Sequence, residues 1–88
     1  MSALPEITVD ATTGATISIA SSNTREEALL RCRGGRVWVG FNEVAVANQG
    51  IWLDNGDAVV IARPLCQADM YFVTAGVTAY IGAETVFG

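Results

Sequence analysis

Apolar and polar residues alternate at a two-residue period through most of this chain, the pattern of strands with one buried face. The clearest run is Ala28–Phe41, ALLRCRGGRVWVGF, where two apolar segments flank Gly34-Gly35. A two-residue Gly-Gly loop suits the tight turns of β-hairpins, because glycine adopts positive φ without a steric cost. Folding about that turn predicts Arg33 opposite Arg36, Cys32 opposite Val37, Arg31 opposite Trp38, Leu30 opposite Val39 and Ala28 opposite Phe41. One face then carries Ala28, Leu30, Cys32, Val37, Val39 and Phe41, and reads as core. The other carries Arg31, Arg33, Arg36 and Trp38.

The same pattern predicts further strands. Ile7–Asp10 is short and starts only after Pro5, which cannot donate to a ladder. Thr16–Ser21 alternates, with Ile17 and Ile19 on one side. Asn42–Ala47 continues the alternation with Val44 and Val46 on one side. Ile51–Leu53 and Ala58–Ala62 flank Asn55-Gly56, a strong hairpin signal. Ala58–Ala62, AVVIA, is apolar on both faces, so it should be central in a sheet or covered by a neighbouring subunit. Met70–Thr74 and Val77–Gly82 predict a third hairpin about Ala75-Gly76, which sets Phe72 opposite Ala79 and Tyr71 opposite Tyr80. Thr85–Gly88 has room for one more strand. One stretch has two readings. Thr24-Arg25-Glu26-Glu27 also matches a helix capping box, with Gly34 as the C-terminal cap of a helix over Arg25–Arg33. The strand reading satisfies both sides of the Gly-Gly turn and is preferred. About eight short strands separated by turn residues predict an all-β fold, a small antiparallel β-sandwich or jelly-roll-like barrel. A single domain is expected, with residues 1–22 as an N-terminal arm and first strands and residues 23–88 as the sandwich core.

Composition changes this picture in one direction. The chain has 88 residues, 51 % of them apolar and only 16 % charged. So small a domain buries a modest share of its surface and commonly needs a staple or a partner. Histidine is absent and the two cysteines are distant in sequence, so no metal is expected. Cys32 and Cys66 are expected to be buried free thiols. A Cys32–Cys66 disulfide and a cross-subunit bridge through a loop-exposed Cys66 are the alternatives. Oligomerisation is the remaining aid, and the apolar excess agrees with a partner-covered surface. The net charge is −4 and lysine is absent, which argues against a nucleic-acid partner. No apolar run approaches the roughly 20 residues of a membrane helix, and the first residues lack the pattern of a secretory signal, so synthesis in a cytoplasm and no membrane partner are expected.

Catalytic chemistry finds little to work with. Without histidine or lysine the common general bases and Schiff-base amines are missing. Asp54 and Asp57 flank a turn, where aspartates more often make local hydrogen bonds than bind calcium. No glycine pattern cradles phosphate. The expectation is no enzyme and no cofactor, with function residing in surfaces. Three of the five arginines fall on the Gly-Gly hairpin. Arginine and aromatic residues are enriched at binding hot spots. Arg31, Arg33, Arg36 and Trp38, with Tyr71 and Tyr80 as a second patch, are therefore the interface candidates. The plainer reading of the same residues is a solvated face.

The order of signals from Arg36 onward resembles small all-β virion proteins of tailed bacteriophages. The resemblance rests on Val37, Val39 and Gly40, then Gly50, Leu53 and Gly56, then Met70, Tyr71, Val73, Gly76, Ile81 and Glu84. The first 25 residues lie outside it. It implies a capsid decoration or cement protein, a homo-oligomer and commonly a homotrimer, that binds between major capsid subunits and stabilises the head of the virion. A head–tail or tail component is the nearest alternative. A carbohydrate-binding β-sandwich using Trp38, Trp52, Tyr71 and Tyr80 is another.

Overall fold

A computed structural model describes residues 2–87. The chain is all-β, in two antiparallel sheets packed face to face. Its strands are β1 (Ser2–Ala3), β2 (Ile7–Val9), β3 (Arg25–Arg33), β4 (Val37–Phe41), β5 (Ile51–Leu53), β6 (Ala58–Ala62), β7 (Met70–Val73) and β8 (Ala79–Phe87). The larger sheet runs β1-β8-β3-β6, with β2 also paired to β8, and the smaller runs β5-β4-β7. The disputed stretch is a strand, so the helix reading of Arg25–Arg33 is set aside. Its side chains alternate as the sequence predicts: Ala28, Leu30 and Cys32 are buried, while Arg31 and Arg33 point outward.

The three predicted hairpins are absent as ladders. β3 pairs with β6 and β8, whereas β4 pairs with β5 and β7. The Gly34-Gly35, Asn55-Gly56 and Ala75-Gly76 turns therefore each carry the chain from one sheet to the other. The glycines are needed as predicted: Gly34, Gly56 and Gly76 have φ of 95°, 91° and 106°. The turns gather at one end of the sandwich. The Gly34 N–H donates to Asn55 Oδ1 at 2.9 Å, and a Cβ on Gly34 would lie 3.2 Å from the Thr78 carbonyl. Length and burial explain the difference. β3 and β8 are both nine residues long and pair over almost their whole length. β4 is buried on both faces, which a hairpin with the outward arginines of β3 would not allow.

The inner faces of both sheets form the core. Val9, Ala28, Leu30, Cys32, Ala79 and Ile81 from the larger sheet meet Val37, Val39, Leu53, Met70 and Phe72 from the smaller. Two predicted strands are irregular. Thr16–Ser21 contributes only a bridge between Ile19 and Met70, and Asn42–Ala47 is a loop. That loop covers the outer side of β4. It is held there at Gly14, where a Cβ would come within 2.5 Å of the Ala45 carbonyl oxygen and 2.9 Å of Val73 Cβ. Thr85–Phe87 extends β8 rather than forming its own strand, and Gly88 lies outside the described residues. Residues of the expected N-terminal arm pair within their own chain, with Ser2 opposite Thr85 and Ile7 opposite Ile81.

Candidate interaction surfaces

The outer face of the larger sheet holds half of the predicted site residues. Arg31 and Arg33 stand on β3 opposite Gly82 and Tyr80 of β8. The Arg33 guanidinium lies over the Tyr80 ring, 4.3 Å from its centre, and its Nη2 donates to Glu6 Oε1 at 3.0 Å. Such stacking at an exposed site contributes about 0.5–1 kcal/mol. Arg31 is exposed and makes no ion pair among the described residues. Because Gly82 carries no side chain, a shallow groove runs beneath Arg31, between Leu29, Glu84 and the Ala3–Glu6 segment.

The other candidates lie elsewhere, because the hairpin that would unite them is a sheet crossing. Arg36 sits at the end of the smaller sheet, where its Nε donates to Asp54 Oδ1 at 2.6 Å and its guanidinium lies over Trp52 at 5.4 Å. The hydrogen bond to Asp54 raises its pKa, against an opposing effect of desolvation. Trp38 is not a surface residue at all. It is 7 % exposed and packs with Ala45 and Val73 in a second small core, against which Tyr71 also rests. Tyr71 and Tyr80 are on different sheets, so their predicted pairing is overturned. Of the four aromatic residues, Trp38 stands opposite Trp52 and Tyr71 packs against the Trp38 cluster, while Tyr80 belongs to the other sheet.

Both cysteines are buried and free, as the preferred reading has them, and Cys66 has no exposure, which sets aside the alternative of a loop-exposed Cys66. Asp57 serves its turn, accepting the Asp54 N–H at 2.9 Å. No group of three or more potential metal ligands occurs among the described residues, and no helix among them is long and apolar enough to cross a membrane.

Two features escaped sequence reasoning, and a third corrects it in part. Arg25 opens β3 but is only 5 % exposed, donating to the carbonyls of Cys66 at 2.8 Å and Ala20 at 3.1 Å, with its Nε unpartnered. Within Arg25-Glu26-Glu27 no residue pattern distinguishes this buried charge from its solvated neighbours. Ile51 and Trp52 of β5 are exposed at 59 % and 51 %. Val60 of β6 is 57 % exposed on an edge strand. The apolar run AVVIA pointed to a central strand or one covered by a neighbouring subunit, and its terminal place in the sheet overturns the first of these. No protein family, curated protein or solved structure matches the chain.

Proposed function

We propose that this chain is a structural assembly subunit that acts by binding rather than catalysis, of the bacteriophage capsid decoration or cement kind that its sequence resembles. One observation carries the assembly reading: large apolar side chains remain exposed on edge strands of both sheets, Ile51 and Trp52 on β5 and Val60 on β6. Bare apolar edges are interaction templates that monomeric proteins ordinarily blunt with charge, proline or bulges. The acidic surface and the shallow grooves agree with a protein that meets other proteins. Within this reading the subunit works in several copies, bound between major capsid subunits, and its contribution is binding energy at particle seams. The test is mass spectrometry of purified virions from a phage that encodes the chain. A high, fixed copy number per particle is expected, with heads that lose thermal resistance when the chain is deleted. Absence of the chain from particles would sink the proposal.

A further inference from the structure

We infer that the free edge of β6 pairs with β6 of a second copy of this chain, antiparallel and about a two-fold axis at Val60. The inference deepens the assembly reading by naming a contact and a partner.

Backbone direction comes first. The Cys32 N–H donates to the Asp57 carbonyl at 2.8 Å, so the Asp57 backbone faces β3. Alternation then turns Val59 and Ile61 toward β3, and turns the N–H and C=O groups of Ala58, Val60 and Ala62 outward. The register of β3 with β8 is consistent with this: the Leu4 N–H reaches the Ala83 carbonyl at 2.9 Å on the far side of β8. β6 is the terminal strand of its sheet. Its residues Ala58–Ala62 include no charge and no proline, so the usual protections of an edge are missing. β5, the other bare edge, has only three residues.

Register comes next. Centring the two-fold on Val60 pairs Val60 with itself and Ala58 with Ala62 of the second copy. All the outward backbone groups then meet as narrow pairs, each exchanging two hydrogen bonds. On the inward side Val59 meets Ile61 of the second copy, a β-branched pair of the kind that stabilises sheets. Just beyond the strand ends, Asp57, whose carboxylate also accepts the Asp54 N–H, and Arg63 of the second copy, in the turn before Pro64, come to the same end of the ladder, and the symmetry repeats this at the other end. Arg63 is exposed in the turn that follows β6, where its Nε lies 3.3 Å from Glu26, a surface pair that an added carboxylate can share. A slip of two residues sets Asp57 against Ile61, or Arg63 against Val59, and leaves an outward residue unpaired. Backbone hydrogen bonding thus selects this register, and the charges that flank the strand agree with it. An isologous contact of this kind closes on itself, so it yields a dimer.

Sedimentation and hydrogen exchange test this on the full chain. A dimer is expected, in which the amides of Ala58, Val60 and Ala62 exchange slowly and become fast on dilution. Val60→Lys should give a folded monomer, since the side chain points away from the core. Arg63→Asp should weaken the dimer by about tenfold through two repelling pairs. A wild-type monomer, a trimer, or a dimer whose Ala58, Val60 and Ala62 amides exchange fast would each overturn the inference. A monomer found at high copy number on particles would remove the β6 contact and leave the proposed function standing. A β6-paired dimer absent from particles would do the reverse.

Discussion

The Cys32 thiol is within hydrogen-bonding distance of the carbonyls of Gly35 at 3.1 Å and Leu53 at 3.7 Å, inside the core. Burial pushes its pKa up, and the carboxylates of Asp57 and Asp54 push in the same direction. A thiol with a folded pKa above its unfolded value stays protonated in the native chain after the unfolded chain has begun to ionise. Its contribution to stability is therefore complete below the ordinary thiol pKa and is lost as pH rises through the raised one. Comparison of wild type with Cys32→Ala should show a stability difference that is constant at neutral pH and narrows at alkaline pH. Neither Cys32 nor Cys66 should react with an alkylating reagent in the native protein, and both should react in urea. Rapid native labelling of Cys32 would contradict its place in the core. Arg25 shows the same control by surroundings: a charge that would be solvated at most strand ends is enclosed here by two carbonyls and lies over the ring of Phe87.

At the scale of elements, the sheet crossings concentrate the conformational demands. Gly34 combines φ of 95° with a neighbouring carbonyl 3.2 Å from any added Cβ. Gly34→Ala should therefore cost about 1–2 kcal/mol for the left-handed backbone alone, and more for the contact. Gly82 lies within β8, with open space where a Cβ would go. Gly82→Ala should be neutral or stabilising by roughly 0.5–1 kcal/mol, since glycine weakens a strand interior. Urea midpoints of the two variants should move in opposite directions or differ by the full sum. Equal shifts would mean that the Gly34 corner is less constrained than its geometry indicates.

The molecule as a whole depends on few large side chains. Phe72, on β7, is fully buried between the sheets and is the bulkiest such residue. A domain of 88 residues has a total stability of roughly 4–13 kcal/mol. Phe72→Ala should remove about 3–5 kcal/mol of that, much of the margin. The urea midpoint should fall steeply, and Trp38, which relies on the same sheet, should lose its buried emission. A variant with near-native stability would show that the two layers are held by something other than this core. Small size would give the proposed β6 edge contact its weight: anything that binds only the folded chain shifts the balance toward it.

Side-chain periodicity and turn chemistry are local properties, and the sequence determined them alone. Alternation marked Ala28, Leu30, Cys32, Val37 and Val39 as inward and Arg31 and Arg33 as outward, and the corner glycines adopt the positive φ expected of them. The all-β class followed from those two signals. Strand partners are non-local, and only the tertiary structure decided them. A glycine turn between two strands looks the same whether the strands pair or part, because φ is set within the turn while pairing is set by distant competitors. β8 outcompeted β4 for β3 because it matches β3 in length, and β4 required cover on both faces. That one choice moved Trp38 into a core, separated Tyr71 from Tyr80, and divided the arginines that a hairpin would have joined. It also left β6, whose apolar sequence called for a neighbour on each side, with a bare edge.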